Sequence, residues 1–505
     1  MKARCSRREA ALAWGAFALL AAGLMAAFAL AAAHTYRWGF PLDDAWIHQT
    51  YARNLARWGQ WAYRPGQPSA GATAPLWVAL MAMGQAVGVP PLWWSAVWGW
   101  LALTALAWGG WCWWKRAVPA PRGWWPWAVG LSLLGCWHMV WAALSGMETA
   151  WFALAMTALL VAGSEAVRTR HGAWWVAVAV GGAVWLRPEA LLAMPWLALA
   201  AWRGPEGEPP TARWAREAVL GLGFAVPFAA YLLFNEQIAG HFWPNTFYAK
   251  HAEYAALTAR PLLERLVRVT KPLAAGGAAL FLPLAAGQSL ADGRAGRWGN
   301  LAAPGWAVTH LLAYAWRLPV AYQHGRYVLP VLPVVVWLGW RGLASLWTWR
   351  GSRAAWVISR GTVAAALAVQ VAFLPLGAQA FAADTALIES EMVTVAQWLQ
   401  THAPSHTVVA AHDIGALGYF TTLPLVDMAG LVSPAVIPMV RNEQALRRFL
   451  DQQGTQVVVT FPDWYATLLQ GRRPCYAPPQ GWGPRLGSTH LTVYCWTQNC
   501  AILCP

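Results

Sequence analysis

The feature that most constrains this chain is its series of long stretches with almost no charged residues. Residues 10–33 contain none, and a helix of that length rises roughly 36 Å at about 1.5 Å per residue, enough to cross a hydrocarbon core of about 30 Å. Only 11% of the residues are charged, whereas 58% are hydrophobic. About twelve apolar stretches lie near 10–33, 73–90, 92–114, 124–143, 146–163, 172–186, 190–202, 217–235, 272–288, 300–316, 327–345 and 361–380. The sequence therefore predicts a polytopic α-helical membrane protein with about 11–13 transmembrane helices.

Basic residues give the predicted orientation of these helices. The first stretch is preceded by Lys2, Arg4, Arg7 and Arg8, and basic residues that flank a span tend to stay in the cytoplasm. We therefore expect a cytoplasmic N-terminus in the cell membrane, with external loops at 34–72 and 236–270. The first stretch is longer than the roughly 7–15 apolar residues of a signal peptide, which favours a retained span. The net charge of +15 comes from short loops, so the expected partner is the lipid bilayer and not nucleic acid.

Two short helices are predicted beside the spans. Pro75, Pro90 and Pro91 interrupt the apolar region 73–114, which favours a half-length or re-entrant helix there. A second helix, from about residue 44 to 58, is predicted to lie in the membrane interface. Its apolar face consists of Ile47, Tyr51, Leu55 and Trp58.

The composition changes after residue 380. Strands are predicted at 407–411, 423–426 and 456–460, and helices at 391–401 and 446–453. Strands that alternate with helices indicate a small α/β domain. We therefore divide the chain into a transmembrane domain, 1–380, and an extracytoplasmic α/β domain, 381–505.

Four cysteines lie close together near the C-terminus: Cys475, Cys495, Cys500 and Cys504. In an extracytoplasmic domain this arrangement favours disulfides. The spacing lacks the paired C-x-x-C of structural zinc sites, so metal binding is the weaker interpretation. Which cysteines pair cannot be deduced from the spacing alone.

Two adjacent carboxylates, Asp43 and Asp44, stand out in the first external loop. The chain has only 21 acidic residues among 505, and charged groups near the membrane are often functional. Neighbouring helix residues point about 100° apart, so the pair suits two separate roles. One carboxylate would accept a proton, and the other would orient a substrate or the local backbone. The alternative is that one of them only caps the helix.

The order of motifs along the chain resembles the GT-C superfamily of polyprenyl-phosphate-sugar-dependent glycosyltransferases. The similarity is closest to bacterial relatives of the arabinofuranosyl- and protein mannosyltransferases. It rests on Leu42-Asp43-Asp44-Ala45-Trp46, Tyr51-Ala52-Arg53-Asn54-Leu55, Ser145-Gly146-Met147-Glu148-Thr149-Ala150, Leu186-Arg187-Pro188-Glu189, Pro244-Asn245-Thr246-Phe247-Tyr248-Ala249-Lys250, Arg326-Tyr327-Val328-Leu329-Pro330, His412-Asp413-Ile414-Gly415-Ala416-Leu417-Gly418-Tyr419-Phe420 and Asp427-Met428-Ala429-Gly430-Leu431.

This resemblance implies transfer of a single sugar, with inversion, from a polyprenyl-phosphate donor to an extracytoplasmic acceptor. The acceptor would be a glycolipid, a polysaccharide or a protein. A hydroxyl that attacks the sugar must lose its proton to a nearby carboxylate, and Asp43 is our candidate, with Asp44 as the second catalytic residue. The leaving phosphate needs positive partners. Lys250, His324 and Arg326 are the candidates, although basic residues near a span also serve as anchors.

Four further residues are predicted to bind substrate, each with a structural alternative. Arg187 and Glu189 flank a proline between two apolar runs, where a salt bridge that closes a helix break is the simpler interpretation. Glu148, isolated between apolar runs, would hold a substrate hydroxyl or satisfy a helix terminus. His48 lies one turn beyond Asp44 and lines the same site if it is not an incidental interface histidine.

No cofactor is predicted, because Asp43 and Asp44 lack a third hard ligand at suitable spacing for Mg²⁺ or Mn²⁺. The main alternative function is a transporter or flippase of lipid-linked sugars. Such proteins usually show repeated halves and broken helices near mid-membrane, and no internal repeat is visible here. A third possibility is a cell-surface assembly protein that uses the α/β domain for binding, which leaves the acidic pair unexplained.

Overall fold

The computed structural model describes residues 6–118, 123–203, 207–349, 352–497 and 500. Lys2, Arg4 and Cys504, on which parts of the topology and disulfide predictions rest, lie outside this set. The α-helices are Arg7–Thr35, Asp43–Trp58, Pro75–Ala86, Pro91–Ala117, Trp125–Leu134, Trp137–Leu144, Thr149–Val161, Gly163–Ala166, Arg170–Val184, Met194–Trp202, Pro210–Ala239, Asn245–Glu253, Ala255–Thr258, Leu262–Thr270, Leu282–Arg294, Ala302–Arg317, Tyr322–Gly325, Val331–Thr348, Arg353–Leu387, Thr394–His402, Gly415–Phe420 and Glu443–Gln452. The 3₁₀ turns are Pro188–Ala193, Lys271–Ala274, Gly277–Phe281, Trp298–Leu301, Pro434–Met439, Pro462–Trp464 and Pro484–Leu486.

Five of the described helices are long and apolar enough to cross a membrane: Arg7–Thr35, Thr149–Ala166, Pro210–Ala239, Val331–Thr348 and Arg353–His402. Two bent pairs raise this number to seven if each pair is one span: Trp125–Leu134 with Trp137–Leu144, and Leu262–Ala274 with Gly277–Arg294. The chain is thus a multi-pass helical membrane protein, as predicted. Fewer helices reach spanning length than the 11–13 expected, because several of the apolar stretches form short or broken helices.

The half-length helix predicted between residues 73 and 114 is confirmed. It spans Pro75–Ala86, and a full-length helix, Pro91–Ala117, follows it. A proline occupies the first turn of both helices, where its missing N–H breaks no intrahelical bond. The prolines therefore set where each helix begins.

The first-loop helix, Asp43–Trp58, has the predicted bounds. It begins after the extended Leu42 and ends at Gly59, whose φ of +64° is accessible to glycine. Most of its residues as far as Asn54 are buried, including the polar His48. The helix is largely enclosed by protein, because the C-terminal α/β domain packs on it through the helix Gly415–Phe420. Its location in the membrane interface stays a prediction.

The C-terminal region contains a five-stranded mixed sheet. After a small hairpin near the first loop, β1 (Ala62–Arg64) and β2 (Gln67–Pro68), the strands are β3 (Val409–Ala411), β4 (Leu425–Asp427), β5 (Val457–Thr460), β6 (Pro474–Tyr476) and β7 (Thr492–Cys495). Their order is β4-β3-β5-β7-β6, with β4, β3 and β5 parallel and the last two pairings antiparallel. The three predicted strands are confirmed as β3, β4 and β5, whereas β6 and β7 were not predicted.

A continuous helical segment connects the two predicted domains. Helix Arg353–Leu387 passes into a π-helical turn, Ile388–Val393, and then into Thr394–His402. The predicted boundary at 380/381 therefore falls inside a helix, and the division into domains stays a prediction. Cys495 and Cys500 form a disulfide, which confirms disulfide bonding for part of the cysteine cluster.

Arg53 of the first-loop helix ties the α/β domain to the membrane part. Its guanidinium donates to the carbonyl oxygens of Gly418 (3.0 Å) and Tyr419 (2.6 Å) and lies over the ring of Tyr419. These carbonyls belong to the last turn of the helix Gly415–Phe420. The contact places a cation at a helix C-terminus, where the backbone dipole favours it.

We predict that Arg53→Ala loosens this junction. Hydrogen bonds that involve a charged donor contribute about 1.5–3 kcal/mol, so the variant should unfold at a lower temperature in detergent. Protease should also cleave the variant faster than the wild type in the region that follows residue 402. Arg57→Ala is the matched control, because Arg57 is an exposed residue one turn along the same helix. Equal behaviour of the two variants would contradict the assignment.

Candidate active site

A cavity of about 330 Å³ opens between the first-loop helix, the helix Asn245–Glu253 and the membrane helices. Seven of the predicted site residues line it: Asp44, His48, Glu148, Arg187, Glu189, Lys250 and Arg326. Asp43 and His324 are not part of its lining. These seven residues come from five separate segments of the chain, and the charged groups among them fall into two lobes.

The cationic lobe consists of Lys250, Arg326, Tyr327 and Asp44. Both terminal nitrogens of Arg326 donate to Asp44 Oδ2 at 3.1 Å, and Lys250 Nζ lies 3.5 Å from Asp44 Oδ1. The Tyr327 hydroxyl accepts from Lys250 Nζ at 2.6 Å and from Arg326 at 2.9 Å. Two cations face one carboxylate, so the lobe has a formal charge of +1.

The cationic lobe holds its charges at neutral pH. Burial alone would raise the pKa of Asp44, but Arg326 and Lys250 lower it well below its usual range. Burial opposes the charge of Lys250 and Arg326 as well, yet Asp44 keeps the pKa of both above the ordinary values. The three groups thus stabilise one another's ionised forms.

Lys250 is positioned by a short helix anchored to the first loop. The backbone N–H of Asn245 donates to Ala70 O at 2.9 Å, and Thr246 Oγ1 donates to Gly71 O at 2.8 Å. A Cβ on Gly71 would lie 2.6 Å from Val432 of the α/β domain, so this close approach requires glycine. The predicted motif 244–250 therefore docks as one unit on the first loop.

Arg326 follows an unusual turn. Gln323 and His324 have φ of +52° and +58°, and Gly325 has +71°, so two non-glycine residues occupy the left-handed region. His324 Nε2 lies 2.7 Å from Asp384 Oδ2, and the His324 ring packs edge-on against Trp141. His324 therefore faces the helix Arg353–Leu387 and away from the cavity, and its predicted contact with a phosphate stays a prediction that this placement does not favour.

The carboxylate lobe consists of Arg187, Glu148, Glu189 and Tyr314. Arg187 donates to Glu148 Oε1 at 3.1 Å, to Glu189 Oε1 at 3.3 Å and to the Tyr314 hydroxyl at 2.9 Å. Tyr314 also donates to Glu189. One arginine against two glutamates leaves a formal charge of −1. The salt bridge expected between Arg187 and Glu189 is present, and both partners also face the cavity.

Local backbone features present Glu148 and Arg187 to the cavity. Gly146 has φ of +74°, and a Cβ there would lie 2.6 Å from Phe40, so the turn before Glu148 requires glycine. Glu148 precedes the helix Thr149–Val161, but its side chain makes no capping bond. Arg187 is extended, as expected for a residue before proline. The helix-terminus alternative for Glu148 is therefore not what the geometry shows.

Asp43 lies on the other side of the first-loop helix, at the junction with the α/β domain. Its two carboxylate oxygens accept from the backbone N–H groups of Gly415 (2.6 Å) and Ala416 (2.8 Å). A Cβ on Gly415 would lie 1.9 Å from Asp43 O, so only glycine fits. Burial, with the nearby carboxylate of Asp413, raises the pKa of Asp43 to about 8. The assignment of Asp43 as the general base stays a prediction.

A second titratable group of residues surrounds this junction. His412 Nδ1 lies 2.7 Å from the Tyr465 hydroxyl, and its Nε2 lies 3.6 Å from Glu253 Oε1. Burial raises the pKa of Asp413 to about 6. His412 and Asp413 follow β3 and Tyr465 follows β5, whereas Glu253 ends the helix Asn245–Glu253. The loops at the carboxyl ends of these parallel strands therefore face the membrane part.

Comparison with known proteins identifies the fold. A family model described as "Domain of unknown function (DUF8728)" matches residues 380–494. The search of curated proteins found no match. Among solved structures, ArnT from Cupriavidus metallidurans bound to undecaprenyl phosphate is 15% identical, with a TM-score of 0.61 over 97% of this chain and 99% of that chain. The Archaeoglobus fulgidus oligosaccharyltransferase in the apo form is 12% identical, with a TM-score of 0.54 over 98% of this chain and 75% of that chain. The chain has the GT-C fold. The fold that the motif resemblance implied is thus confirmed.

The GT-C cavity also contains residues that were not singled out individually. Tyr327 lies in a quoted motif beside Arg326, and Trp243, Phe247 and Leu431 contribute apolar lining. A tyrosine next to an arginine is a weak signal, because its role depends on which cations the fold brings to its hydroxyl. Leu431 comes from the α/β domain, so only the tertiary structure reveals that this domain forms part of the wall.

We predict that the stability of this chain falls between about pH 4, near the ordinary pKa of an aspartate, and about pH 8, the raised pKa of Asp43. Burial raises the pKa of Asp43 and Asp413, and the carboxylates near His412 raise its pKa against the effect of burial. A raised pKa means that the folded state binds more protons than the unfolded state, so stability is lost as pH rises through the folded pKa. Asp44 and Glu253, whose pKa values are lowered, titrate near or below the lower end of this pH range.

The apparent melting temperature in detergent measures this effect. In Asp43→Asn, the melting temperature should change less with pH across the upper half of this pH range than it does in the wild type. The reason is that the substitution removes the group with the highest of these raised pKa values. The comparison concerns the slope, so it holds even if the variant is less stable at every pH. An unchanged slope in Asp43→Asn would contradict the prediction.

Proposed function

We propose that this protein is a membrane glycosyltransferase that moves one sugar, a hexose or a pentose, from a polyprenyl-phosphate donor to an extracytoplasmic acceptor. The single observation that carries the proposal is the composition of the cavity. Two cations with unused hydrogen-bond donors lie beside an apolar wall and beside several carboxylates. A polyprenyl-phosphate sugar has one part for each of these features: the phosphate for the cations, the polyprenyl chain for the apolar wall and the sugar for the carboxylates.

The cationic lobe suits the donor phosphate. Arg326 Nε has no hydrogen-bond partner among the described residues although it is buried, and Lys250 Nζ has three donors, of which the contacts with Tyr327 and Asp44 use two. Charge-assisted bonds from arginine and lysine are the usual means of holding a phosphate. The phosphate would therefore complete a partly satisfied set of donors.

The apolar wall suits the polyprenyl chain. Leu191, Leu192, Trp243, Phe247 and Leu318 line the same cavity, and Phe247 is partly exposed. Burial of isoprene units against such side chains is favourable at about 25 cal/mol per Å². The similar fold of ArnT, solved with undecaprenyl phosphate, supports this class of donor.

The proposed reaction is a single displacement with inversion. The acceptor hydroxyl oxygen forms a bond to the anomeric carbon while the bond from that carbon to the phosphate oxygen breaks, and the electron pair leaves with the lipid phosphate. The hydroxyl proton passes to a carboxylate. Lys250 and Arg326 stabilise the charge that develops on the phosphate, so no acid is needed at the leaving group.

Asp44 is the better placed of the two aspartates to accept this proton. It lines the cavity, whereas the Asp43 carboxylate is engaged with backbone N–H groups at the domain junction. The low pKa of Asp44 depends on Arg326 and Lys250. A bound phosphate would share these cations and so make Asp44 more basic, which couples the base to the presence of donor.

We place the cavity on the extracytoplasmic side. The disulfide Cys495–Cys500 supports this side for the α/β domain, because disulfides persist in oxidising compartments. The acceptor class is a glycolipid, polysaccharide or protein. No metal is required by the proposal, and among the described residues no cluster of three or more His, Cys, Asp or Glu is arranged to bind one.

We predict that Arg326→Gln and Lys250→Met each weaken binding of polyprenyl phosphate by about tenfold or more, since one charge-assisted contact is equivalent to about that factor. Binding is measured on the full chain in nanodiscs with a labelled short-chain polyprenyl phosphate. Arg268→Gln is the control, because Arg268 is a partly exposed arginine outside the cavity lining. Melting temperatures of all variants separate lost binding from lost folding.

Turnover separates the enzyme from a transporter. With radiolabelled polyprenyl-phosphate sugars and membrane extract as acceptor, the wild type should release polyprenyl phosphate. Asp44→Asn should lower the rate of release per folded, donor-bound molecule by about a hundredfold or more. Transbilayer movement of intact donor without release would support the flippase alternative. Loss of turnover in Asp43→Asn alone, with Asp44→Asn active, would return the role of base to Asp43.

A further inference from the structure

The two charged lobes of the cavity are separated by a single tyrosine ring. The centroid of Tyr327 lies 4.8 Å from the guanidinium carbon of Arg326 and 5.3 Å from Lys250 Nζ. The guanidinium carbon of Arg187, in the carboxylate lobe, lies 5.5 Å from the same centroid. The guanidinium carbons of the two arginines are therefore no further apart than the sum of their distances to the ring. Both lobes line the same cavity and adjoin on Tyr327.

Two buried polar atoms in this part of the cavity have no partner in the described chain. Glu148 is 1% exposed; its Oε1 accepts from Arg187, but its Oε2 accepts no hydrogen bond. His48 is 4% exposed, and its Nδ1 is likewise unpaired. Burial, the main influence, lowers the pKa of His48, so the ring is neutral at physiological pH. Buried polar atoms without partners are unfavourable, so both atoms are available to a ligand that carries hydrogen-bonding groups.

We propose that the carboxylate lobe binds the transferred sugar and selects sugars that carry no acidic group. Glu148 Oε2 accepts a hydrogen bond from a sugar hydroxyl, and His48 Nδ1 forms a second one. This inference rests on the proposed function, because the donor phosphate must occupy the cationic lobe for its sugar to lie here.

Charge is the basis of the selection. Glu148 and Glu189 share Arg187 as their cation, and Glu189 already bonds to both Arg187 and Tyr314. A uronate or a phosphorylated sugar would bring another negative charge against Glu148 in a region shielded from water. Like charges placed together at a buried contact strongly disfavour binding. Neutral sugars, and sugars that carry an amine, meet no such repulsion.

Matched donors test the inference. The full chain in nanodiscs is loaded with labelled polyprenyl phosphate, which is then displaced by polyprenyl-phosphate glucose or by polyprenyl-phosphate glucuronate of the same chain length. These lipids differ only in a hydroxymethyl and a carboxylate group. A neutral pentose lipid gives the effect of ring size. We expect the glucose lipid to bind at least about tenfold more tightly than the glucuronate lipid.

Variants assign the effect to Glu148. Glu148→Gln keeps an oxygen for Arg187 and removes the charge, so it should reduce the preference to within about threefold, mainly through tighter binding of the glucuronate lipid. Glu189→Gln removes the same formal charge from a carboxylate whose oxygens are already bonded. It should therefore change the preference for the glucose lipid over the glucuronate lipid less than Glu148→Gln does. Glu165→Gln, an exposed partner of Arg168 outside the cavity, should leave the preference unchanged.

The outcomes are distinguishable. Equal binding of the glucose and glucuronate lipids by the wild type would overturn the inference, while retained binding of polyprenyl phosphate itself would leave the proposed function standing. No binding of polyprenyl phosphate would overturn both. An effect of Glu148→Gln no larger than that of Glu165→Gln would overturn the assignment to Glu148.

Discussion

The organisation of the cavity depends on one carboxylate that neutralises two cations from distant parts of the chain. Asp44 lies in the first turn of the first-loop helix, Lys250 lies on the helix Asn245–Glu253, and Arg326 follows a turn before the span Val331–Thr348. Without Asp44, two buried cations would repel each other at short range. Removing one member of a buried ion cluster destabilises by about 3–5 kcal/mol, because the remaining charge is left uncompensated. The same ion pairs that join these segments therefore create a site with one net positive charge.

The turn before Arg326 shows how the fold keeps such a site in place. Left-handed conformations of non-glycine residues cost about 1–3 kcal/mol each and persist only where the surroundings hold them. Here His324 bonds to Asp384, which also accepts from Trp141 Nε1 at 2.9 Å. A Cβ on Gly325 would lie 2.8 Å from Pro272, so the turn is confined from a second side. The direction of Arg326 is thus fixed by contacts outside the cavity, and one of them is the bond between His324 and Asp384.

The sequence predicted the membrane architecture, the first-loop helix and the central strands, because each has a strong local signal. It also named seven residues that line one cavity, since their motifs lie at the ends of apolar runs. It assigned the proton acceptor to Asp43, whereas the aspartate of the doublet that lines the cavity is Asp44. Residues one position apart on a helix point about 100° apart, so the answer depends on what packs on each side of Asp43 and Asp44. Strands β6 and β7 are short and irregularly paired, and their alternation is too brief to detect.

The α/β domain forms part of the cavity and is not simply attached to it. In parallel sheets, binding groups gather at the carboxyl ends of the strands, and here that edge faces the membrane part through His412 after β3 and the loop after β4. Asp427, at the end of β4, accepts backbone N–H groups of Ala429, Gly430, Val432 and Ser433. This one carboxylate shapes the loop that places Leu431 in the cavity wall.

The first loop packs tightly against this loop of the α/β domain, because Gly71 leaves no room for a side chain there. The cavity wall therefore closes only when both domains are in contact. The shape of the cavity is therefore a property of the interface, and a change at the domain junction alters the site without touching any residue that lines it.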